Sequence, residues 1–261
     1  MATDGRVALV TGAGSGIGRA AALRLAAEGH AVAVLSHTEA EVSDAAAEIN
    51  RQGGEALALT ADISDAEQMR MALAQVSERF GRLDVVFANA GINGVWAPID
   101  EIAPEEWDRT INTNLRGTYL TIHNAVPLMK RTGRGVILIT SSINGTRVFS
   151  NAGSTAYSCT KAAQVAMGQM LALELAKHGI RVNVICPGKI ETNIDENTEK
   201  RSLDEAGQPA EFPAGRIPLT GGEGAEADEV AELVAFLASD RARFISGTPI
   251  WIDGAQSVLV G

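Results

Sequence analysis

The sequence predicts an α/β fold built on one doubly wound sheet of seven parallel strands, with helices on both faces. Two observations support this prediction. Short apolar runs rich in β-branched residues recur along the chain, and amphipathic, Ala-rich stretches separate them from end to end. Strands and helices that alternate in this way are typical of right-handed βαβ units, which place successive strands parallel in one sheet.

The individual elements follow from hydrophobic periodicity. Several strand candidates are apolar on both faces, as expected for strands that are covered by helices on each side. Strands are predicted at 6–11, 31–35, 55–60, 84–88, 135–141, 180–186 and 248–253, and helices at 16–28, 38–52, 65–79, 104–131, 155–178 and 226–238. No linker, low-complexity tract or internal repeat interrupts this order.

One late segment departs from the alternation. Residues 193–215 read NIDENTEKRSLDEAGQPAEFPAG, which is polar, contains two prolines and has no clear period. A loop of this length in a compact domain is usually functional, for example an active-site lid, and the alternative is a solvated surface excursion. We therefore expect a single domain over residues 1–261 with a substrate loop or lid at 193–215.

Composition limits the functional classes. The net charge of −10 argues against nucleic-acid or anionic-membrane partners, because both favour Lys and Arg. The cysteines, Cys159 and Cys186, form no C-x-x-C pair, which indicates a reducing compartment. The first residues show no basic segment followed by an apolar stretch, and no apolar run reaches the ~20 residues that cross a bilayer. We expect a soluble cytoplasmic protein.

A glycine-rich stretch, TGAGSGIG at residues 11–18, follows the first strand and opens the first helix. Gly12 can take a tight turn, Gly16 lets the backbone approach a phosphate, and Gly18 allows the helix to pack closely on the strand. The helix N-terminus offers free N–H groups and a positive dipole end to a pyrophosphate. The position of this stretch predicts a Rossmann-type domain that binds a dinucleotide.

A second pattern, STAYSCTKAA at residues 154–163, contains one of the two tyrosines of the chain. Lys161 follows Tyr157 by four residues, so both side chains lie on the same face of a helix. An ordinary helix with an exposed Lys beside a half-buried Tyr gives the same pattern. Taken alone, the spacing leaves both interpretations open.

Six motifs in order resemble the short-chain dehydrogenase/reductase family. They are TGAGSGIG (11–18), NAG (89–91), NLRG (114–117), SS (141–142), YSCTK (157–161) and PGKIET (187–192). The resemblance extends from about Gly5 to the C-terminus and includes the tail FLASDRARFISGTPIWIDGAQS. It implies an NAD(P)-dependent oxidoreductase that acts on a secondary alcohol or its ketone.

The resemblance implies a catalytic set of Asn114, Ser142, Tyr157 and Lys161. Tyr157 would be the general acid/base, and the positive charge of Lys161 would lower its pKa from the ~10 of a free tyrosine. Lys161 would also hold the nicotinamide ribose, and Ser142 would hydrogen-bond the substrate oxygen. Asn114 would anchor a water that relays protons. Without the other motifs, ordinary structural hydrogen bonds would explain Ser142 and Asn114 equally well.

The family pattern also implies cofactor contacts. They would be made by Gly12, Ser15, Gly16, Ile17, Gly18, Ser36, His37, Asp62, Ile63, Asn89, Ala90, Gly91, Tyr157, Lys161, Pro187, Gly188, Ile190 and Thr192. No metal is implied, because the four histidines (His30, His37, His123, His178) do not have a metal-ligand spacing.

The end of the second strand, AVAVLSHTEAE, departs from the pattern of NAD-preferring relatives. Those relatives carry an acidic residue that binds the adenosine ribose, whereas this chain has Ser36 followed by His37. No carboxylate repels a 2′-phosphate at this position, yet no Arg is present to bind one, since Ser15 stands in the turn. We expect NADP(H) to be favoured, with NAD(H) possible.

The interval from Ser142 to Tyr157 is 15 residues, two more than the common family spacing. The extra loop, INGTRVFSNAGSTA, is expected at the mouth of the site. Asn144, Val148 and Phe149 are candidate substrate contacts, and Phe149 is equally a candidate subunit contact.

The main rival substrate is an acyl group on an acidic carrier protein. Reductases of that kind dock the carrier through basic residues, and Leu173 occupies a position where they carry Arg. Lys130, Arg131 and Arg134 are expected near the active-site mouth, but the net charge of −10 disfavours an acidic partner. The sequence therefore favours a small free substrate, such as a sugar, a polyol or another secondary alcohol or ketone.

Two further classes are possible on this fold. A non-catalytic nucleotide-binding regulator would be free to lose residues of the catalytic set, and all four are present here. Epimerisation or dehydration would use the same fold for a different reaction. The resemblance also implies a homo-oligomer, dimer or tetramer, because the helices at 104–131 and 155–178 commonly pair between subunits.

Overall fold

A computed structural model describes residues 5–192, 198–207 and 217–260. Seven strands form one parallel sheet, in the order β3-β2-β1-β4-β6-β7-β9. These strands are β1 (Val7–Thr11), β2 (Ala31–Ser36), β3 (Glu55–Thr60), β4 (Val85–Ala88), β6 (Gly135–Thr140), β7 (Ile180–Pro187) and β9 (Pro249–Ile252). A separate pair consists of β5 (Gly94–Trp96) and β8 (Thr198–Lys200), which are also parallel.

Helices connect these strands. They are α1 (Gly16–Ala27), α2 (Glu39–Arg51), α3 (Ala66–Phe80), α4 (Pro104–Ile111), α5 (Gly117–Thr132), α6 (Thr155–Ala176), α7 (Leu203–Ala206), α8 (Ala227–Ala238) and α9 (Gln256–Val260). A π-helical turn, Asn112–Arg116, joins α4 to α5. The chain order of the strands reverses between β1 and β4, and ligands of doubly wound sheets bind in the crevice at such a switch point.

Both faces of the sheet are buried, which explains the apolar runs in the sequence. In β1, Val7 and Leu9 pack on the face that is covered by α3, α5 and α6. Ala8 and Val10 pack on the opposite face, under α1, α2 and α8. Alternate residues of one strand therefore enter two separate cores.

The structure confirms the predicted α/β fold, and all seven predicted strands pair in the sheet with boundaries within two residues. The predicted helix 104–131 differs, because the π-helical turn divides it into α4 and α5. The sequence did not predict β5, β8, α7 or α9, since segments of three to five residues are too short to show a period.

The predicted loop at 193–215 lies only partly within the described residues. Residues 193–197 and 208–215 fall outside them. The described part is not an irregular excursion: it contains β8 and α7, and β8 pairs with β5 in the register Gly94 with Thr198.

Candidate active site

The predicted site residues gather at the carboxyl edge of the sheet. The glycine-rich stretch follows β1, Ser36 ends β2, and Asp62 and Ile63 follow β3. The NAG motif follows β4, Ser142 follows β6, and Pro187 ends β7. Parallel strands expose all their carboxyl ends at one edge, so these separate motifs meet in one crevice.

Gly12 and Gly18 of the glycine-rich turn have no room for a side chain. A Cβ at Gly12, whose φ is +66°, would lie 3.0 Å from the Cα of Ala90. A Cβ at Gly18 would lie 2.6 Å from the carbonyl carbon of Gly12 and 2.8 Å from Nδ2 of Asn89. The turn leads directly into the N-terminus of α1, where the first N–H groups of a helix have no partner within it, and this arrangement suits a pyrophosphate.

Asn89 ties three strand ends together at the switch point. Its backbone N–H donates to Oγ1 of Thr11 (3.0 Å), and its Nδ2 donates to the Thr11 carbonyl (3.2 Å). Its Oδ1 accepts from the hydroxyl of Thr140 (3.1 Å). Ala90 also donates its N–H to Oγ1 of Thr11 (3.1 Å). Thr11 and Thr140 thus position the NAG motif, a role that the sequence did not predict for them.

Around the ends of β2 and β3, the candidate adenosine contacts differ in exposure. Ser36 is buried, whereas His37 is exposed. Asp62 is exposed, and its Oδ1 accepts from the backbone N–H and the hydroxyl of Ser64, both at 2.8 Å. Ile63 is buried, and its side chain packs on Gly117.

The segment after β7 approaches the glycine-rich turn from the other side. A Cβ at Gly16 would lie 3.1 Å from Cγ2 of Thr192, so Thr192 sits directly over the turn. Ile190 forms a bridge with Ala225, and Gly188 donates its N–H to the Ile252 carbonyl at 3.0 Å. These contacts fix the segment 187–192 beside the glycine-rich turn.

Tyr157 and Lys161 both lie in α6 and are both buried. The ammonium of Lys161 lies 5.3 Å from the centre of the Tyr157 ring and donates to the Thr140 carbonyl at 2.9 Å. Burial lowers the pKa of Lys161 to about 8, against a smaller opposing influence of Cys186. Burial also raises the pKa of the Cys186 thiol to about 11. The alternative of an exposed Lys beside a half-buried Tyr is therefore wrong.

Ser142 lies on the loop that follows β6, beside the start of α6. Its hydroxyl accepts from the backbone N–H of Asn144 at 3.1 Å, and the neighbouring Ser141 donates its hydroxyl to the Lys161 carbonyl at 2.7 Å. A Cβ at Gly145 would lie 2.9 Å from the Cα of Ser158, so this loop packs against the first turn of α6. The Ser142 hydroxyl proton is free to be donated elsewhere, because the Asn144 bond uses only an oxygen lone pair.

Asn114 is fully buried in the π-helical turn. Its Oδ1 accepts from the N–H of Ile92 (2.8 Å), and its Nδ2 donates to the Ile92 carbonyl (2.8 Å) and to Oγ1 of Thr160 (3.2 Å). A Cβ at Gly91 would lie 3.0 Å from Asn114 Oδ1 and 3.7 Å from Lys161 Nζ. π-Helical turns occur frequently at functional sites, and this one brings Asn114 beside Lys161.

The main-chain carbonyl of Asn114 has partners that the sequence did not predict. It accepts from the hydroxyl of Thr118 at 2.7 Å and from Nε2 of the buried Gln164 at 3.0 Å. A carbonyl oxygen has two lone pairs, so a relay water at this oxygen would compete with both donors. Gln164 follows Lys161 by three residues on the same face of α6. A polar residue on this buried face was the sequence signal that could have identified Gln164 as part of the site.

Trp96 forms a wall next to Tyr157. The two ring centroids are 6.4 Å apart with an interplanar angle of 44°. The indole Nε1 donates to the Asn93 carbonyl at 3.3 Å, and the Lys200 ammonium lies 5.7 Å from the indole ring. The β5–β8 pair thus joins the described part of the predicted substrate loop to this wall.

Arg201 fixes the same segment to α4. Its guanidinium donates to both carboxylate oxygens of Glu106, at 3.0 and 2.6 Å, and this partner lowers the pKa of Glu106. It also donates to the Glu101 carbonyl at 3.0 Å, and the Arg201 N–H donates to the Trp96 carbonyl at 2.9 Å. Two-pronged contacts of this kind define the orientation of both side chains.

The three candidate substrate contacts in the loop between Ser142 and Tyr157 differ in burial. Val148 is buried, and Asn144 is buried with its Oδ1 accepting from Nδ2 of Asn151 at 2.7 Å. Phe149 is 76% exposed. Its side chain faces solvent in the isolated chain, which agrees better with a subunit contact than with a pocket wall.

The basic residues that we expected at the active-site mouth are not there. Lys130 and Arg131 end α5, and Arg134 precedes β6, so all three lie at the amino edge of the sheet. Arg134 lines a cavity there with Ile180. The prediction was wrong because α5 ends, and β6 begins, at the amino edge of the sheet. The active site lies at the opposite edge, where the six residues of β6 end.

No cluster of three or more His, Cys, Asp or Glu side chains that could hold a metal ion occurs in 5–192, 198–207 or 217–260. Within the same ranges, no helix has the length and apolar character needed to span a bilayer. Cys159 is a free exposed thiol and Cys186 a free buried one.

The crevice fits a dinucleotide. The tight glycine-rich turn, the helix N-terminus beside it and the switch point between β1 and β4 are all present at one edge of the sheet. The buried phenol of Tyr157 with an ammonium nearby can exchange a proton, and a dinucleotide in the crevice would lie at the same edge.

Comparisons with known proteins agree with this geometry. The chain matches the family described as Enoyl-(Acyl carrier protein) reductase over residues 12–255. A levodione reductase from Leifsonia aquatica is 37% identical over 254 residues, which cover 97% of this chain and 94% of that protein. The structure of a 3-ketoacyl-ACP reductase from Sinorhizobium meliloti 1021 is 58% identical, with a TM-score of 0.94, and the match covers 97% of this chain and 99% of that one.

Two similar structures contain a nicotinamide dinucleotide. A 3-ketoacyl-(acyl-carrier-protein) reductase from Brucella melitensis in complex with NADH is 33% identical, with a TM-score of 0.84 and coverage of 97% of this chain and 98% of that one. A short chain dehydrogenase from Burkholderia cenocepacia J2315 in complex with NADP is 35% identical, with a TM-score of 0.83 and coverage of 96% and 97%.

Proposed function

The chain belongs to the short-chain dehydrogenase/reductase family and is an NAD(P)-dependent oxidoreductase, and we propose that it interconverts a small secondary alcohol and its ketone. The observation that carries this proposal is the placement of Tyr157 and Lys161. A buried ammonium 5.3 Å from the phenol ring stands at the sheet edge where the glycine-rich turn also lies. The family membership gives the reaction class, and we assign its proton chemistry to Tyr157, Lys161 and Ser142.

When bound, the nicotinamide dinucleotide donates or accepts the hydride. Tyr157 donates the phenol proton to the substrate oxygen in reduction and removes the hydroxyl proton in oxidation. The Lys161 ammonium stabilises the phenolate that remains after donation, because an opposite charge in a buried site favours the ionised form. The bond from Lys161 to the Thr140 carbonyl keeps the ammonium in place during this exchange.

Ser142 and Asn114 have supporting roles in this proposal. The Ser142 hydroxyl donates to the substrate oxygen and stabilises the charge that develops on it. Asn114 holds the backbone at Ile92 through two bonds of 2.8 Å and so keeps the NAG motif beside Lys161. We place the dinucleotide along the residues predicted for it at the ends of β1, β2, β3, β4 and β7, with Thr192 closing over the turn at Gly16.

For the cofactor, we propose that NADP(H) is favoured and NAD(H) is also used. Ser36 brings no negative charge to the end of β2, and the exposed imidazole of His37 can donate to a 2′-phosphate. No arginine of the turn or of the end of β2 adds a strong phosphate contact, so we expect the preference to be small.

For the substrate, we propose a small free molecule such as a sugar, a polyol or another secondary alcohol or ketone. Leu173 brings no positive charge to the position where carrier-protein reductases carry Arg, and the net charge of −10 disfavours an acidic carrier. The indole of Trp96 beside Tyr157 provides a flat apolar wall for a compact substrate.

The second candidate is reduction of 3-oxoacyl groups on acyl-carrier protein. The similarity to the Sinorhizobium meliloti and Brucella melitensis reductases favours it. One experiment separates the two candidates: initial rates with a panel of alcohols, ketones, sugars and a 3-oxoacyl thioester, free and carrier-bound, each with NAD(H) and NADP(H). Faster turnover of the carrier-bound thioester than of every free substrate would overturn the proposal of a small substrate.

We also propose a homo-oligomer in the cytoplasm. Large apolar side chains are exposed on the isolated chain, with Leu173 at 82% and Phe244 at 97%. Apolar patches of this kind mark contact surfaces. Leu173 lies in α6 and Phe244 follows α8. Light scattering in solution tests the assembly.

A further inference from the structure

The carboxylate of Glu41 lies on the glycine-rich turn. Glu41 is in the first turn of α2, which begins three residues after Ser36. A Cβ at Gly14 would lie 2.7 Å from Cβ and 3.2 Å from Cδ of Glu41, and its nearest neighbour would be Oε2 of the same side chain. The acidic group therefore covers Gly14, in the middle of the turn.

Glu41 differs in its ion pairing from the acids that follow it in α2. Two other acids of α2, Asp44 and Glu48, are both bound by Arg19. Glu41 forms no ion pair with any residue in the described ranges, although its side chain is half-buried. A carboxylate without an ion-pair partner repels an anionic group that binds beside the turn.

This space is where the adenosine ribose of a dinucleotide belongs. In doubly wound dinucleotide-binding folds the pyrophosphate lies on the first turn and the ribose 2′ position points to the end of the second strand. Here the Ala13 N–H donates to the Leu35 carbonyl at 3.0 Å, which brings the turn and the end of β2 into contact. Glu41 stands at the rim of the subsite that these two segments form.

We propose that Glu41 is a specificity-determining residue that opposes the 2′-phosphate of NADP(H) and thereby keeps NAD(H) in use. This proposal rests on the dinucleotide site of the proposed function. Ser36 and His37 leave the end of β2 without a negative charge, and Glu41 supplies one from the adjacent helix. NAD(H) carries a neutral hydroxyl at the same position and does not experience the repulsion.

The test is the dissociation constant of NAD⁺ and of NADP⁺, measured by isothermal titration calorimetry without substrate. These molecules differ only in the 2′-phosphate. Glu41→Gln removes the charge and keeps the shape, and we expect it to tighten NADP⁺ by roughly three- to tenfold while NAD⁺ changes by less than about twofold. At about 0.5 M salt the gain for NADP⁺ should shrink, because screening acts on charges near the surface.

Glu39→Gln is the matched control. Glu39 lies in the same first turn of α2 and is exposed, and residues two apart on a helix do not share a face. The control should leave both constants within about twofold. Equal changes for NAD⁺ and NADP⁺ in Glu41→Gln, no change for either, or the same gain in Glu39→Gln would overturn the role of Glu41. If the unmodified protein bound neither dinucleotide, the proposed cofactor site itself would fail.

Discussion

The Lys161 ammonium donates a 2.9 Å hydrogen bond to the main-chain carbonyl of Thr140, the last residue of β6. This bond connects the helix that carries Tyr157 to the strand that precedes Ser142. It also holds a positive charge in a buried position, where its solvation is poor. The chemistry that we propose for Tyr157 depends on this charge being kept close to the phenol.

Lys161→Met should stabilise the protein at about pH 7. The pKa of Lys161 is lowered to about 8 in the folded protein, against about 10.4 in an unfolded chain, so the charged form opposes folding. The gain should be on the order of 2–4 kcal/mol at neutral pH and should decrease between about pH 8 and pH 10.5, where Lys161 of the folded parent protein is already neutral.

Urea unfolding of both proteins over this pH range measures the difference. Lys177→Met, at the exposed end of α6, is the control and should change stability by less than about 0.5 kcal/mol at every pH. A difference between the parent and Lys161→Met that does not vary with pH would contradict the buried charge.

Gly18→Ala should abolish cofactor binding. The added methyl group would lie 2.6 Å from the Gly12 carbonyl carbon, so the turn must open and its N–H groups lose their arrangement. We expect affinity for NADPH to fall by at least about 100-fold, measured by fluorescence titration. Gly53→Ala, whose φ is +85° with open space around it, should cost about 1 kcal/mol of stability and leave affinity unchanged. Equal affinities in both variants would show that the turn does not bind the dinucleotide.

Arg201→Gln should weaken substrate binding without affecting the cofactor. Loss of the two-pronged contact with Glu106 releases the segment that carries β8 from α4. We expect the KM of the substrate to rise by about three- to tenfold, with the Kd of NADPH unchanged. Arg70→Gln removes an exposed pair with Glu67 on α3 and serves as the control. A cofactor Kd that rises together with KM would argue for a general loss of structure instead.

Gln164→Leu should destabilise the protein by roughly 1–3 kcal/mol. The substitution keeps the volume but removes one of the two donors to the Asn114 carbonyl (3.0 Å) and the donor to the Thr118 hydroxyl oxygen (2.9 Å), both in a buried site. Gln52→Leu, which removes an exposed contact with Glu48, should stay within about 0.5 kcal/mol of the parent. Urea unfolding measures both. An effect of Gln164→Leu as small as that of the control would remove Gln164 from the group that supports the π-helical turn.

The sequence predicted the sheet well because its strands are buried on both faces and therefore read as apolar runs. Four of the six motifs, TGAGSGIG, NAG, SS and PGKIET, stand at the ends of predicted strands, whereas NLRG and YSCTK lie in predicted helices, and only the structure brings these two to the same edge. The sequence did not predict Gln164, Thr11 or the β5–β8 pair, because their partners are distant in the chain: Trp96 and Arg201 are joined across α4, α5 and α6. Periodicity reports on which face of an element is buried and carries no information about such partners.

The missed charge of Glu41 illustrates the same limit. The sequence showed that no acid ends β2, and we inferred that nothing repels a 2′-phosphate. The structure brings an acid of the following helix onto Gly14, which lies 27 positions earlier in the chain. Only the packing of α2 against the turn brings the two together.

The central claim is that Tyr157 exchanges the proton, and Tyr157→Phe tests it most directly. The substitution removes one hydroxyl group and keeps the ring that packs near Trp96. Tyr119→Phe, at the only other tyrosine of the chain, is the matched control and should retain parent activity.

Turnover of the best substrate and the Kd of NADPH are measured in both variants. We predict that Tyr157→Phe lowers kcat by at least about 1,000-fold, within the range for loss of a general acid/base, while the Kd changes by less than about threefold. A Tyr157→Phe enzyme that turns over its substrate as fast as Tyr119→Phe would contradict the account.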